Sequence, residues 1–144
     1  MEESKPCVTL MATDSKLVKE GGELFDNPSL YQSIIGSLQY LTLSRPNLAF
    51  TVNKLRQFLQ NPSKAHWTAC KRIMRYIKGT LSYRLMFHKS SSFNLEAYAD
   101  ADWVSDVNDR QSTSGYAIFL GGNLIQWSSR KQKVVSLSFT EAEY

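Results

Sequence analysis

The hydrophobic rhythm of the chain changes once, near residue 80, from a repeat of three to four residues to a repeat of two. Upstream, three stretches carry apolar residues at helical spacing. Asn27-Pro28 sets a capping side chain ahead of a proline, and Leu30, Ile34, Leu38 and Leu41 recur behind it with Tyr31 and Ile35 alongside. A first helix is therefore expected to run to about Leu43, with Gly36 offering a point for a close helix crossing. Arg45-Pro46 starts a second helix with Leu48, Val52, Leu55 and Leu59 as its buried stripe and Phe58 adjoining, and Asn61-Pro62 ends it. A third spans Ser63 to Lys78, with Gly79 as its C-terminal cap. Along it His66, Trp67, Ala69, Cys70, Ile73, Met74 and Ile77 fall on one arc of about 160°. Lys64, Lys71, Arg75 and Lys78 fall within about 60° on the opposite side. One face is suited to burial and the other presents a row of cations. His66, inside the apolar arc, is expected to be a packed histidine rather than a ligand.

Ahead of these helices, residues 1 to about 27 read as an irregular lead-in with one extended candidate, Val8-Thr9-Leu10-Met11. Downstream, Tyr83–His88 and Phe93–Asp100 read as strands joined by Ser90-Ser91-Ser92. Leu95, Ala97 and Ala99 share one face of the second strand, and Glu96, Tyr98, Asp100 and Asp102 the other. The polar run Ser105–Ser114 reads as loop. Gly115–Leu120 and Leu124–Ser129 flank Gly121-Gly122-Asn123, a hairpin signal. A short strand is expected around Val134-Val135, and a helix start near Ser138 or Thr140. Helices followed by strands give an α+β class, as one arrangement or two abutting domains, with the division between Gly79 and Ser92.

Composition narrows the function. With 144 residues, of which 42% are hydrophobic, the chain reads as one globular domain or two small pieces of larger ones. Cys7 and Cys70 are far apart and form no ligand pair, which points to a reducing compartment. No apolar run approaches the roughly 20 residues that span a bilayer. The opening Met1-Glu2-Glu3-Ser4-Lys5 carries no secretory signal. The expectation is an intracellular protein, cytoplasmic or nuclear, neither secreted nor membrane-bound. The net charge of +4 is unevenly spread. No acid lies between Asp26 and Glu96, a stretch that holds Arg45, Lys54, Arg56, Lys64, Lys71, Arg72, Arg75, Lys78, Arg84 and Lys89. A basic middle between acidic flanks favours a polyanion partner, with a merely solvated helix surface as the alternative.

The acids of the flank downstream carry the candidate chemistry. Asp100 and Asp102 end a strand, and Glu141 and Glu143 open a helix. A hydrated Mg²⁺ is usually held by one or two carboxylates together with substrate oxygens, and a pair of such ions cleaves phosphodiesters. Each acid also has a plainer role. Asp102 suits a turn, while Ser138-x-x-Glu141 and Thr140-x-x-Glu143 are capping boxes. Tyr98-Ala99-Asp100-Ala101 does not match the polymerase signature Tyr-x-Asp-Asp.

Four blocks in order, YQSIIGSLQYLTLSRPNLAFTVNKLRQFLQNPSKAHWTACKRIMRYIKGT, AYADADWVSD, STSGYAIFLGGNLIQWSSRKQ and TEAEY, resemble the Pol polyprotein of copia-type retrotransposons from plants, from about Lys5 to Tyr144. The resemblance implies a piece truncated at both ends. Residues 1–88 would be the C-terminal thumb and connection region of a reverse transcriptase. Residues 89–144 would be a partial RNase H-like domain, with the first three strands of a mixed sheet and the tip of its first helix. It implies Asp100 and Glu143 as catalytic Mg²⁺ ligands in the complete domain, with Glu143 a better match than Glu141, and Asp102 as a helper. Lys64, Lys71, Arg75 and Lys78 would contact the RNA/DNA hybrid or primer-template. The remainder of the Pol polyprotein is the other implied partner. The parent activity would be reverse transcription with Mg²⁺-dependent hydrolysis of RNA in the hybrid. The alternatives are a non-catalytic nucleic-acid-binding fragment or a retroelement relic without activity. Family members often carry Asp where Asn47 stands and usually Ser where Phe139 stands. An incomplete sheet would leave a bare edge and an uncovered face, so poor solubility is expected.

Overall fold

A computed structural model of the chain describes residues 4–12, 17–18, 22–102 and 111–132. It divides into a helical unit, Met1–Tyr83, and a second unit that begins at Arg84. The α+β class is observed, with helices preceding strands.

In the helical unit, α1 (Pro28–Leu41) begins where the Asn27 side chain accepts a hydrogen bond from Leu30 N–H at 3.0 Å. It ends sooner than the apolar spacing predicts. Thr42 turns its hydroxyl onto the Gln39 carbonyl at 2.7 Å, and Arg45, which precedes a proline, is held out of helical geometry at φ −132°, ψ 81°. Pro46–Leu48 then forms a single 3-10 turn that leads into α2 (Ala49–Arg56). Tyr31, Ile35, Leu38, Leu48, Val52, Leu55, Phe58, Cys70 and Ile73 pack into one core with Leu17. The Tyr31 hydroxyl donates to the Leu55 carbonyl at 2.8 Å, which satisfies the one polar atom that α1 buries there. Burial also pushes the pKa values of the Tyr31 hydroxyl and the Cys70 thiol upward, the latter to about 12, so Cys70 is an inert apolar side chain. Gly36 is not a helix crossing: a Cβ there would meet open space.

The third helix, α3 (Lys64–Gly79), starts with Ser63 and His66 capping each other. His66 Nδ1 accepts from the Ser63 N–H at 2.9 Å while its ring stacks on Phe58, centroids 3.8 Å apart. His66 is thus the packed histidine expected. Gly79 is the last helical residue rather than a left-handed cap, and the helix closes on Thr80, whose N–H reaches the Ile77 carbonyl. A Cβ at Gly79 would stand 3.0 Å from Pro6 Cβ, which is a packing reason for glycine. The extended segment predicted at 8–11 is instead bent, and among the described residues no strand lies beside it to share a ladder.

The second unit holds β1 (Leu95–Asp102), β2 (Thr113–Leu120) and β3 (Asn123–Lys131), antiparallel in the order β1-β2-β3. No parallel strand lies among the described residues. The hairpin between β2 and β3 turns on Gly121 and Gly122, both at positive φ, 55° and 78°. A Cβ on Gly121 would collide with the Ser92 carbonyl oxygen at 2.4 Å. Tyr83–His88 is not a strand. Its end is held instead by the Asn123 amide, which accepts from His88 N–H at 2.7 Å and donates to His88 O at 2.9 Å.

Candidate nucleic-acid interface

The cationic side of α3 is fixed from both ends of the helix. At its start, the Ser63 cap and the backbone bond from Lys64 N–H to Glu23 O (2.8 Å) hold the first turn against the lead-in. Buried Cys70 and Ile73, with half-buried Ile77, hold the opposite face to the core, so the Lys64, Lys71, Arg75 and Lys78 side chains share the outer side, as their spacing predicts.

Their partners differ. Lys64 pairs with Glu23, and the hydrogen bond to that carboxylate holds its ammonium above its usual value. Both groups are well exposed, so the pair adds little to stability. Arg75 Nε donates to the Lys5 carbonyl at 2.6 Å, and Lys78 Nζ to the Ser4 carbonyl at 3.1 Å. Arg72, which periodicity sets at the margin of the row, joins it: Nε donates to the Thr9 carbonyl at 3.2 Å and the guanidinium also bonds the Thr9 hydroxyl. Lys71 has no hydrogen-bonded or ionic partner among the described residues. Four of these five cations therefore meet the lead-in, and the bonds that Arg72 and Arg75 make there go to neutral oxygens. Sequence reasoning missed both the role of Arg72 and the coverage by residues 4–9, because main-chain carbonyls leave no residue-type signal.

One more cation lies inside the unit. Arg45 is buried, with no acid near enough to form an ion pair among the described residues. Its guanidinium donates to the Thr80 hydroxyl at 2.7 Å and stands 5.9 Å from the Tyr76 ring centre. Asn47, in turn, donates to the Tyr76 hydroxyl at 2.9 Å.

The candidate metal ligands sit in the second unit. The register pairs Asp100 with Gly115, and Gly115 with Ser129 in β3, so small residues flank the position of its carboxylate. Asp100 is exposed. Glu96 and Tyr98 share its face, as the strand period predicts. The Tyr98 hydroxyl donates to Glu96 Oε2 at 3.1 Å, a bond that raises the tyrosine's pKa, and its ring meets Phe119 edge-on at 5.9 Å. The Asp102 side chain, Glu141 and Glu143 lie outside the described residues, as do the strand at 134–135 and the helix start. Among the described residues, no three acid, histidine or cysteine side chains gather into a metal-binding group. What Asp100 offers is an accessible hard oxygen donor, which suits Mg²⁺ chemically.

No family model matches the chain, and no solved structure does. Curated proteins do match. The chain is 46% identical over 141 residues to the retrovirus-related Pol polyprotein from transposon RE2 of Arabidopsis thaliana, covering 98% of this chain and 10% of that protein. It is 40% identical over 153 residues to the retrovirus-related Pol polyprotein from transposon TNT 1-94 of Nicotiana tabacum, covering all of this chain and 11% of the relative. It is also 45% identical over 115 residues to secreted RxLR effector protein 161 of Plasmopara viticola, covering 79% of this chain and 81% of the relative. The chain spans about a tenth of the length of the two polyproteins.

Proposed function

The chain belongs to the retrovirus-related Pol polyproteins of transposons, and on that premise we propose that it is a copia-type segment whose helical unit grips the nucleic-acid backbone. The observation that carries this reading is the outer side of α3. Lys64, Lys71, Arg75 and Lys78 share it within a stretch free of acids from Asn27 to Leu95. Lysine and arginine on phosphates release condensed counterions, which gives affinity without sequence preference. In the parent polyprotein this grip serves reverse transcription, with the hybrid held by its shape and 2′-hydroxyls.

The second unit then corresponds to the beginning of an RNase H-like domain. Asp100 and Glu143 would hold Mg²⁺, which supplies activation of water and stabilisation of the leaving oxygen in RNA hydrolysis. The exposed position of Asp100 opposite Gly115 supports this role, since substrate oxygens need room beside the carboxylate. For the chain itself the reading is binding. Hydrolysis belongs to the polyprotein.

The test uses a labelled RNA/DNA hybrid with Mg²⁺. Binding that weakens steeply with salt, and that is unchanged in Asp100→Asn, is expected. Cleavage by the parent polyprotein should vanish in the same variant. Binding insensitive to salt would defeat the gripping role, and cleavage that survives Asp100→Asn would remove Asp100 from the metal site.

A further inference from the structure

We infer that residues 4–9 are an intrachain cover that competes with nucleic acid for the cations of α3. The segment runs antiparallel to the helix, with Ser4 beside Lys78, Lys5 beside Arg75 and Thr9 beside Arg72. At its middle, Cys7 N–H donates to the Arg75 carbonyl at 3.3 Å, and Pro6 lies over Gly79, where any Cβ would crowd it at 3.0 Å. The cover thus takes up at least one donor of Arg75 and of Lys78, two of the four cations proposed to grip phosphate, and two donors of Arg72 beside them.

The oxygens that Thr9 and Lys5 offer Arg72 and Arg75 are carbonyls and a hydroxyl. They satisfy donor geometry without neutralising charge. A phosphate in the same place adds a full negative charge to the bond, so the exchange favours the polyanion. The cover is also weakly held. Among the described residues one of its hydrogen bonds to α3, Cys7 N–H to Arg75 O, joins main chain to main chain; the others depend on long, partly exposed side chains, and Val8 is 90% exposed. Behind it, Leu10 and Met11 pack against the core. The segment is therefore anchored at 10–11 and able to peel away over 4–9 by local opening. With the cover closed in most molecules, the apparent affinity for nucleic acid falls by the fraction that is open.

The inference rests on the reading of α3 as a phosphate grip, and its test separates the two. The full chain is compared with the double variant Cys7→Pro/Thr9→Ala, which removes the N–H to Arg75 and the hydroxyl facing Arg72 and leaves every cation in place. Fluorescence anisotropy with a labelled RNA/DNA hybrid across a salt series reads affinity, and circular dichroism verifies that both chains keep their helices. The double variant should bind about three- to tenfold more tightly. In the unaltered chain, amide exchange at Cys7 should accelerate when the hybrid saturates it, a readout that needs no variant to fold. Equal or weaker binding by a folded double variant, or Cys7 exchange unchanged at saturation, would overturn the cover while leaving the grip standing. If neither chain bound the hybrid in a salt-dependent way, the grip itself would fall and the cover with it.

Discussion

The helical and sheet units draw their order from different sources. Ten buried side chains, from Leu17 to Ile73, hold the helices together, while α1 and α2 share few main-chain bonds beyond their own turns. In the sheet unit the described strands are joined by antiparallel ladders, broken by one register shift in β2–β3 between Ile118 and Phe119, yet Ala101 and Ser112 are its only buried residues among those described. Side-chain packing fixes one unit and main-chain pairing with turn geometry the other. Substitutions should therefore act by opposite rules in the two halves.

The largest effect is expected in the helical core. Ile73→Ala should cost about 2–5 kcal/mol in urea unfolding, because Ile73 is fully buried against α1 and α2 residues. Next comes the hairpin. Gly121→Ala puts a Cβ into the Ser92 carbonyl at positive φ and should lower sheet stability by more than about 1 kcal/mol, read as faster amide exchange in β2 and β3.

Acidification should act on the helical unit through His66. Burial holds His66 below its ordinary value of 6.5, the Val18 backbone opposing only in part. The folded ring resists a proton that the unfolded chain accepts, so stability is complete above about pH 6.5 and is lost as pH falls through the lower folded value. The urea midpoint of this unit should drop between pH 7.5 and 5.5, and His66→Gln should flatten that dependence. Smaller again is Gly36→Ala, expected to stabilise α1 by up to about 1 kcal/mol, since its Cβ meets nothing and alanine favours the helix. Last, Leu95→Ala on the exposed β1 should change stability by under about 0.5 kcal/mol, although it removes more apolar atoms than the hairpin variant touches. An Ile73→Ala cost as small as that of Leu95→Ala would erase the contrast between the units.

Much of this was legible in the residues. Asn27-Pro28, the stripe through Leu48, Val52 and Leu55, and the two-faced third helix each state a local rule that tertiary packing obeys. The Gly121-Gly122 turn does too, because most side chains enter that backbone region only with strain. What stayed hidden depended on partners far away in sequence. Gly79 reads as a cap, but Pro6 is what its bare backbone accommodates. Tyr83–His88 alternates like a strand, but the amide of Asn123 holds its end and no ladder forms along it. For the candidate site, the row on α3 followed from helical period. Which of its cations meet the lead-in did not, since the acceptors are main-chain oxygens that any residue carries. Asp100 was marked by its place on the strand, whereas its proposed companion Glu143 rests on the family resemblance.

The salt dependence of hybrid binding by the full chain, set against Lys71→Ala/Arg75→Ala, bears most directly on the claim that α3 holds phosphates. On a plot of log affinity against log salt, the unaltered chain should give a negative slope, and the double variant a slope shallower by about 1.5–2. Identical slopes for the two proteins would place the nucleic-acid contacts somewhere other than this helix.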